Sequence, residues 1–139
     1  MTDIEPGTLL SDPARAGTCF VDAEGRDALA SVAASLGFLV AGADLADARD
    51  KTTLIDALAA ALKFPATFGH NWDALADSLG DLAWLPAPGY MLLLDGIASL
   101  REAAPRDYDA LLDILDDATR SHAGAGVPFW TAITAPPPA

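Results

Sequence analysis

The sequence predicts an α/β fold: a small parallel sheet of three to four strands with helices packed on it. Three observations point there. Short apolar runs rich in β-branched and aromatic residues alternate with longer stretches whose apolar residues recur every three to four positions, and that alternation implies parallel strands joined by helical crossovers. The run Tyr90-Met91-Leu92-Leu93-Leu94 is apolar at every position, as a strand covered on both faces requires. Finally, 139 residues of which 52 % are hydrophobic are enough to bury the core of one domain.

The elements follow in chain order. Residues 1–17 hold two prolines and two glycines with little periodicity, and read as a flexible N-terminal arm. A single domain over residues 18–134 is expected next. Thr18-Cys19-Phe20-Val21 suits a short strand. In residues 25–36, Leu29, Val32, Ala33 and Leu36 fall at helical spacing, and Gly37 stops that helix. Phe38-Leu39-Val40-Ala41-Gly42 is a second strand, after which residues 42–45 turn the chain out. Leu54, Ala57, Leu58, Ala61 and Leu62 repeat as one helix face, with Thr52 or Thr53 as its cap. Pro65 pushes the preceding residue out of helical geometry and ends it.

After a turn at residues 68–71, Asn71 suits the N-cap of a helix running to Leu79, with Gly80 as its stop. Residues 82–89 form a loop, 90–94 a central strand, and 97–104 a short helix. Pro105 can open a further helix, since Tyr108, Leu111, Leu112, Leu115 and Ala118 repeat helically to about His122. Gly124 and Gly126 break it. Residues 129–134 are the last strand. Residues 135–139, with three consecutive prolines, cannot join a sheet and are expected to be a disordered tail.

Charge narrows the function. Twenty acidic residues face eight basic ones, a formal net charge of -12. Nucleic acid has the same sign and would be repelled, whereas a basic protein would be steered in. Solubility alone also accounts for such a surface. No apolar run is long enough to span a bilayer, so no membrane partner is expected. The first residues have no basic stretch before an apolar core, and Cys19 is the sole cysteine. Both point to the cytoplasm.

The segment Phe68-Gly69-His70-Asn71-Trp72-Asp73-Ala74-Leu75-Ala76-Asp77-Ser78-Leu79 concentrates the interest. On a helix, Trp72, Leu75, Ala76 and Leu79 share one face and Asp73 and Asp77 form a stripe beside it. Asp81 extends the stripe if the helix passes Gly80. Like charges four apart cost a helix about 0.2–0.5 kcal/mol, and no lysine or arginine lies between Lys63 and Arg101 to offset them. An unpaired acidic ridge is a small cost that a partner's cations can recover. An ordinary solvated helix face explains the same pattern.

Catalytic, metal and cofactor readings find little support, and the expectation is a non-catalytic protein without cofactor. Two aspartates on one exposed turn would both be ionised, whereas glycoside hydrolysis needs one raised pKa. No calcium-loop spacing occurs, and His70 and His122 lack a zinc motif. For His70 the local expectation is a hydrogen bond to Asp73, with a partner contact as the alternative. Ser78 and Ser121 sit in no nucleophile elbow, no phosphate-binding glycine loop is present, and Cys19 suits a small buried hydrophobe.

The stretch 64–86, with Pro65, Phe68-Gly69, Asn71, Asp73-Ala74-Leu75, Asp77, Leu79 and Pro86, resembles the signature of the barstar family of ribonuclease inhibitors. The likeness extends loosely over residues 37–134, leaving 18–36 as an N-terminal addition. The resemblance implies a barstar-like fold and an inhibitor whose signature helix and preceding loop enter the active site of a basic ribonuclease of the barnase type. It implies that Asp77 takes the place of the RNA phosphate and accepts charge-assisted hydrogen bonds. Asp73 would add a second carboxylate. Gly69 and Asn71 would meet the partner at the turn, Trp72 and Ala76 would lie along the contact, and Asp117 would touch a basic side chain at the rim. Thr67 and Ala76 depart from the pattern, standing where the family's best-known inhibitor has aromatic residues. That departure keeps open a barstar-fold binding or immunity module for a different basic protein. Either reading expects a monomer when free.

Overall fold

In the computed structural model, which describes residues 6–66 and 68–134, β1 (Thr18–Val21), β2 (Leu39–Asp44), β3 (Tyr90–Asp95) and β4 (Phe129–Thr134) build one sheet. Its spatial order is β1-β4-β3-β2 and every pairing is parallel. The helices are α1 (Pro6–Leu10), α2 (Ala23–Ser35), α3 (Lys51–Ala61), α4 (Trp72–Asp81), α5 (Ile97–Ala103) and α6 (Pro105–Gly124). Leu92 pairs with Ala41 on one side and Thr131 on the other. The expected α/β sheet is thus present, with four strands and its two central ones covered on both faces.

The chain steps from β2 to β3 to β4 one strand at a time, whereas β1 to β2 crosses the full width in the opposite direction. Crossovers of one hand running in opposite directions place their helices on opposite faces. One face packs Ala41, Ala43, Leu92, Leu94, Phe129 and Ile133 against α3, α4, α5 and α6. The other packs Met91, Trp130 and Ala132 against Leu10, Ala33 and their neighbours in α1 and α2.

Residues 6–17, read from the sequence as an arm, carry α1 and end beside the sheet. Leu10 is buried, and the Trp130 indole N–H donates to the Leu10 carbonyl at 2.9 Å. A second tie joins α2 to the core: Arg26 Nη1 lies 2.7 Å from Asp95 Oδ1 at the end of β3. Burial pushes the Asp95 carboxyl up, but hydrogen bonding and the charge of Arg26 outweigh it and hold it below the ordinary carboxylate value.

Several element boundaries differ from those expected. Asp50, not Thr52 or Thr53, caps α3: its carboxylate accepts from the Thr53 N–H at 2.9 Å and the Thr53 hydroxyl at 2.8 Å, which holds its pKa below the usual range. β2 continues past Gly42 because Ala43 and Asp44 still pair with Leu94 and Asp95. α6 runs two residues past His122, to Gly124. α4 passes through Gly80 and ends on Leu82, whose φ is +50°. A left-handed leucine costs about 1–2 kcal/mol, and burial of its side chain at 1 % exposure offsets that. The tail 135–139 and Thr67 lie outside the described residues.

Candidate functional site

α4 begins where the side chain of Asn71 works in two directions. Its Oδ1 accepts from the Ala74 N–H at 2.8 Å, the N-cap bond expected from sequence. Its Nδ2 donates back to the Gly69 carbonyl at 3.2 Å. An amide carries its acceptor and its donors on separate atoms, so Asn71 joins the preceding turn to the helix. Gly69 is exposed, and a Cβ there would meet Asn71 Nδ2 at 3.3 Å, so the turn closes best without a side chain.

The turn before α4 is held from behind. The Phe68 N–H donates to the Pro65 carbonyl at 2.9 Å. Phe64 and Phe68 meet edge to face at 4.7 Å, and Phe64 meets Trp84 the same way at 5.5 Å. Trp84 also donates to the Leu62 carbonyl at 3.0 Å. Trp84 therefore braces the turn and is only partly exposed. His70 has a φ of +51° and contacts Asp56 of α3 at 2.9 Å. The local bond to Asp73 expected for His70 is replaced by this contact across 14 residues, since the left-handed backbone turns its ring toward α3.

Along α4 the predicted faces separate. Leu75 and Leu79 are fully buried, Trp72 and Ala76 half-buried, and Asp73, Asp77 and Asp81 exposed. Because the helix passes Gly80, the acidic stripe has three members. Among the described residues none of the three joins an ion pair; Asp12, Asp27, Asp95, Asp116 and Asp117 each lie beside an arginine. Asp117 lies exposed on α6 with its Oδ1 2.7 Å from Arg120 Nη2. A groove of about 360 Å³ runs between α4 and α6, lined by Ala76, Asp77, Gly80, Asp81, Asp117 and Ser121 among others. The structure therefore brings Asp77 and Asp117 to one groove and leaves Gly69 and Asn71 at the far end of the same helix.

The carbonyls at the end of α4 have no partner within the helix. α6 supplies two. His122 Nε2–H donates to the Leu79 carbonyl at 2.8 Å, and the Ser121 hydroxyl reaches the Gly80 carbonyl at 3.4 Å. His122 is itself buried and stacked on Phe129 at 5.3 Å. Neither contact has a signal in local sequence. Among the described residues no group of three or more His, Cys, Asp or Glu side chains is placed to hold a metal ion. Among the described residues no helix is long and apolar enough to cross a membrane. What the arrangement can do chemically is accept: three exposed carboxyl groups on a helix tied down at both ends present oxygens to cationic donors.

A protein-family model described as Barstar (barnase inhibitor) matches residues 38–134. No curated protein matches the chain. The matched stretch runs from the residue before β2 to the end of β4, and α1, β1 and α2 precede it.

Proposed function

The chain belongs to the barstar family, and on that premise we propose that it is a non-catalytic inhibitor that blocks the active site of a basic ribonuclease with carboxylates of α4. The observation that carries the reading is the placement of Asp73, Asp77 and Asp81 as one exposed stripe along α4, where among the described residues none of them joins an ion pair.

Inhibition in this reading is occupancy. Asp77 is the anchor that substitutes for an RNA phosphate and accepts from arginine or histidine, and Asp73 adds a second carboxylate. Gly69 and Asn71 contact the enzyme at the turn, Trp72 and Ala76 along the helix, and Asp117 at the rim. Because both ends of α4 are already tied, little ordering entropy is lost on association. The net charge of -12 raises the encounter rate with a basic enzyme and makes binding weaken with salt. α1 and α2 pack on the sheet face opposite α4, and β1 extends the sheet beside β4, so they leave this surface free. We assign the protein to the cytoplasm, a compartment that suits a chain with one cysteine, and take it to be a monomer when free.

The test is a ribonuclease assay with the full chain titrated into barnase at low and high salt. Stoichiometric inhibition that weakens as salt rises supports the reading. Absence of inhibition at micromolar protein favours a second one, a barstar-fold module for a different basic protein. The small side chain of Ala76, at the edge of an open groove, motivates that alternative, since aromatic residues commonly anchor interfaces.

A further inference from the structure

The contact between His70 and Asp56 forms one wall of a second surface, beside the turn before α4. A groove of about 390 Å³ lies between α3 and that turn, lined by Asp56, Ala60, Phe64, Pro65, Phe68 and His70 among others. Its walls are two phenylalanine rings in edge-to-face contact at 4.7 Å. The His70 ring leans on Phe68 at 4.8 Å. Among the described residues that line it, Asp56 is the one carboxylate and there is neither lysine nor arginine. Asp56 and His70 are both more than half exposed, at 56 % and 58 %. Only one oxygen of Asp56, Oδ1, is engaged by His70, which leaves Oδ2 to accept from another donor.

Two aromatic rings beside a carboxylate whose Oδ2 is not engaged by His70 fit one side chain well. An arginine lays its methylene stem and guanidinium plane on aromatic rings and donates through its edge to a carboxylate. We propose that this groove is an arginine-binding subsite that extends the partner surface of α4 onto α3. The turn that carries Gly69 and Asn71 is shared by both surfaces, so one basic partner can reach them together. The inference deepens the inhibitor reading and takes its partner from it; the chemistry of the subsite can be tested without that partner.

The full-length protein is titrated with N-acetyl-arginine amide and, separately, with the neutral isostere N-acetyl-citrulline amide, at constant ionic strength. The ring signals of His70 and Phe68 are followed by NMR. Arginine amide is expected to shift both in a saturable way at millimolar concentration, and citrulline amide to shift neither. Asp56→Asn should weaken the arginine response about threefold or more, the range of an exposed ion pair. Ala60→Trp, which fills the groove and leaves Asp56 and His70 in place, should abolish it. Asp77→Ala, on α4, should leave it unchanged. If arginine amide moves neither ring, or moves them equally in Asp56→Asn and Ala60→Trp, the subsite does not exist. That result would leave ribonuclease inhibition untouched, and a failed inhibition assay would leave a saturable arginine response intact, so the two outcomes are separable.

Discussion

His122 of α6 donates from Nε2 to the Leu79 carbonyl at 2.8 Å, so a buried imidazole closes the end of the helix that carries the acidic ridge. The carbonyl can only accept, which places the proton on Nε2. His122→Leu keeps the apolar volume but leaves that carbonyl buried without its donor. A loss of about 1–3 kcal/mol in urea unfolding is expected, with the largest rise in amide exchange in the last turn of α4. Equal protection of α4 in variant and parent would count against this role.

Asn71 serves the turn and the helix at once. Asn71→Ala loses both bonds and should cost about 1 kcal/mol. Asn71→Asp keeps the acceptor for Ala74 but sets a carboxylate oxygen against the Gly69 carbonyl in place of a donor. Its helix should survive while the turn loosens, which amide exchange at residues 68–70 would report. In a binding titration Asn71→Asp should therefore lower partner affinity more than its small change in stability explains.

Asp77 and Asp117 share a groove but differ in what holds them. Asp117 is paired with Arg120, whereas Asp77 has no cation among the described residues. Under the proposed function, Asp77→Ala should weaken inhibition of a basic ribonuclease by on the order of 100-fold, as loss of one partner from a desolvated charge pair does. Asp117→Ala should change it by less than about fivefold, the range of an exposed pair. Equal small effects in both variants would remove Asp77 from the role of anchor.

The Arg26–Asp95 pair gives stability a dependence on acid. The folded-state pKa of Asp95 lies below its ordinary value, so its contribution is complete above the unfolded pKa near 4 and is lost as pH falls through the folded value. Asp95→Asn should flatten the fall in unfolding free energy below about pH 4. Arg26→Leu should flatten it in part, by removing the cation and its hydrogen bond. Curves parallel to that of the parent protein would show that the pair contributes nothing measurable.

Trp130 joins the sheet to α1 through one indole N–H. Trp130→Phe retains an aromatic ring against Leu10 but orphans its carbonyl. Faster limited proteolysis within residues 11–17 is expected, with little change in amide protection of β3.

The sequence by itself determined the fold class and most of the helix face that matters. Periods of two and 3.6 are local properties, so strands, helices, the Asn71 cap and the segregation of Leu75 and Leu79 from Asp73 and Asp77 could be read from neighbouring residues. Only the tertiary structure decided which local signals prevailed. Gly80 is a sound stop signal, yet burial of Leu82 carries α4 one turn-end further and brings Asp81 into the ridge. His70 sits three residues from Asp73, yet a left-handed backbone turns it to Asp56 on another helix. His122, Ser121 and Trp130 find their partners 41 to 120 residues away in the chain. Hydrogen bonds and burial act between atoms close in space, and no spacing along one segment encodes which distant carbonyl a buried donor will meet.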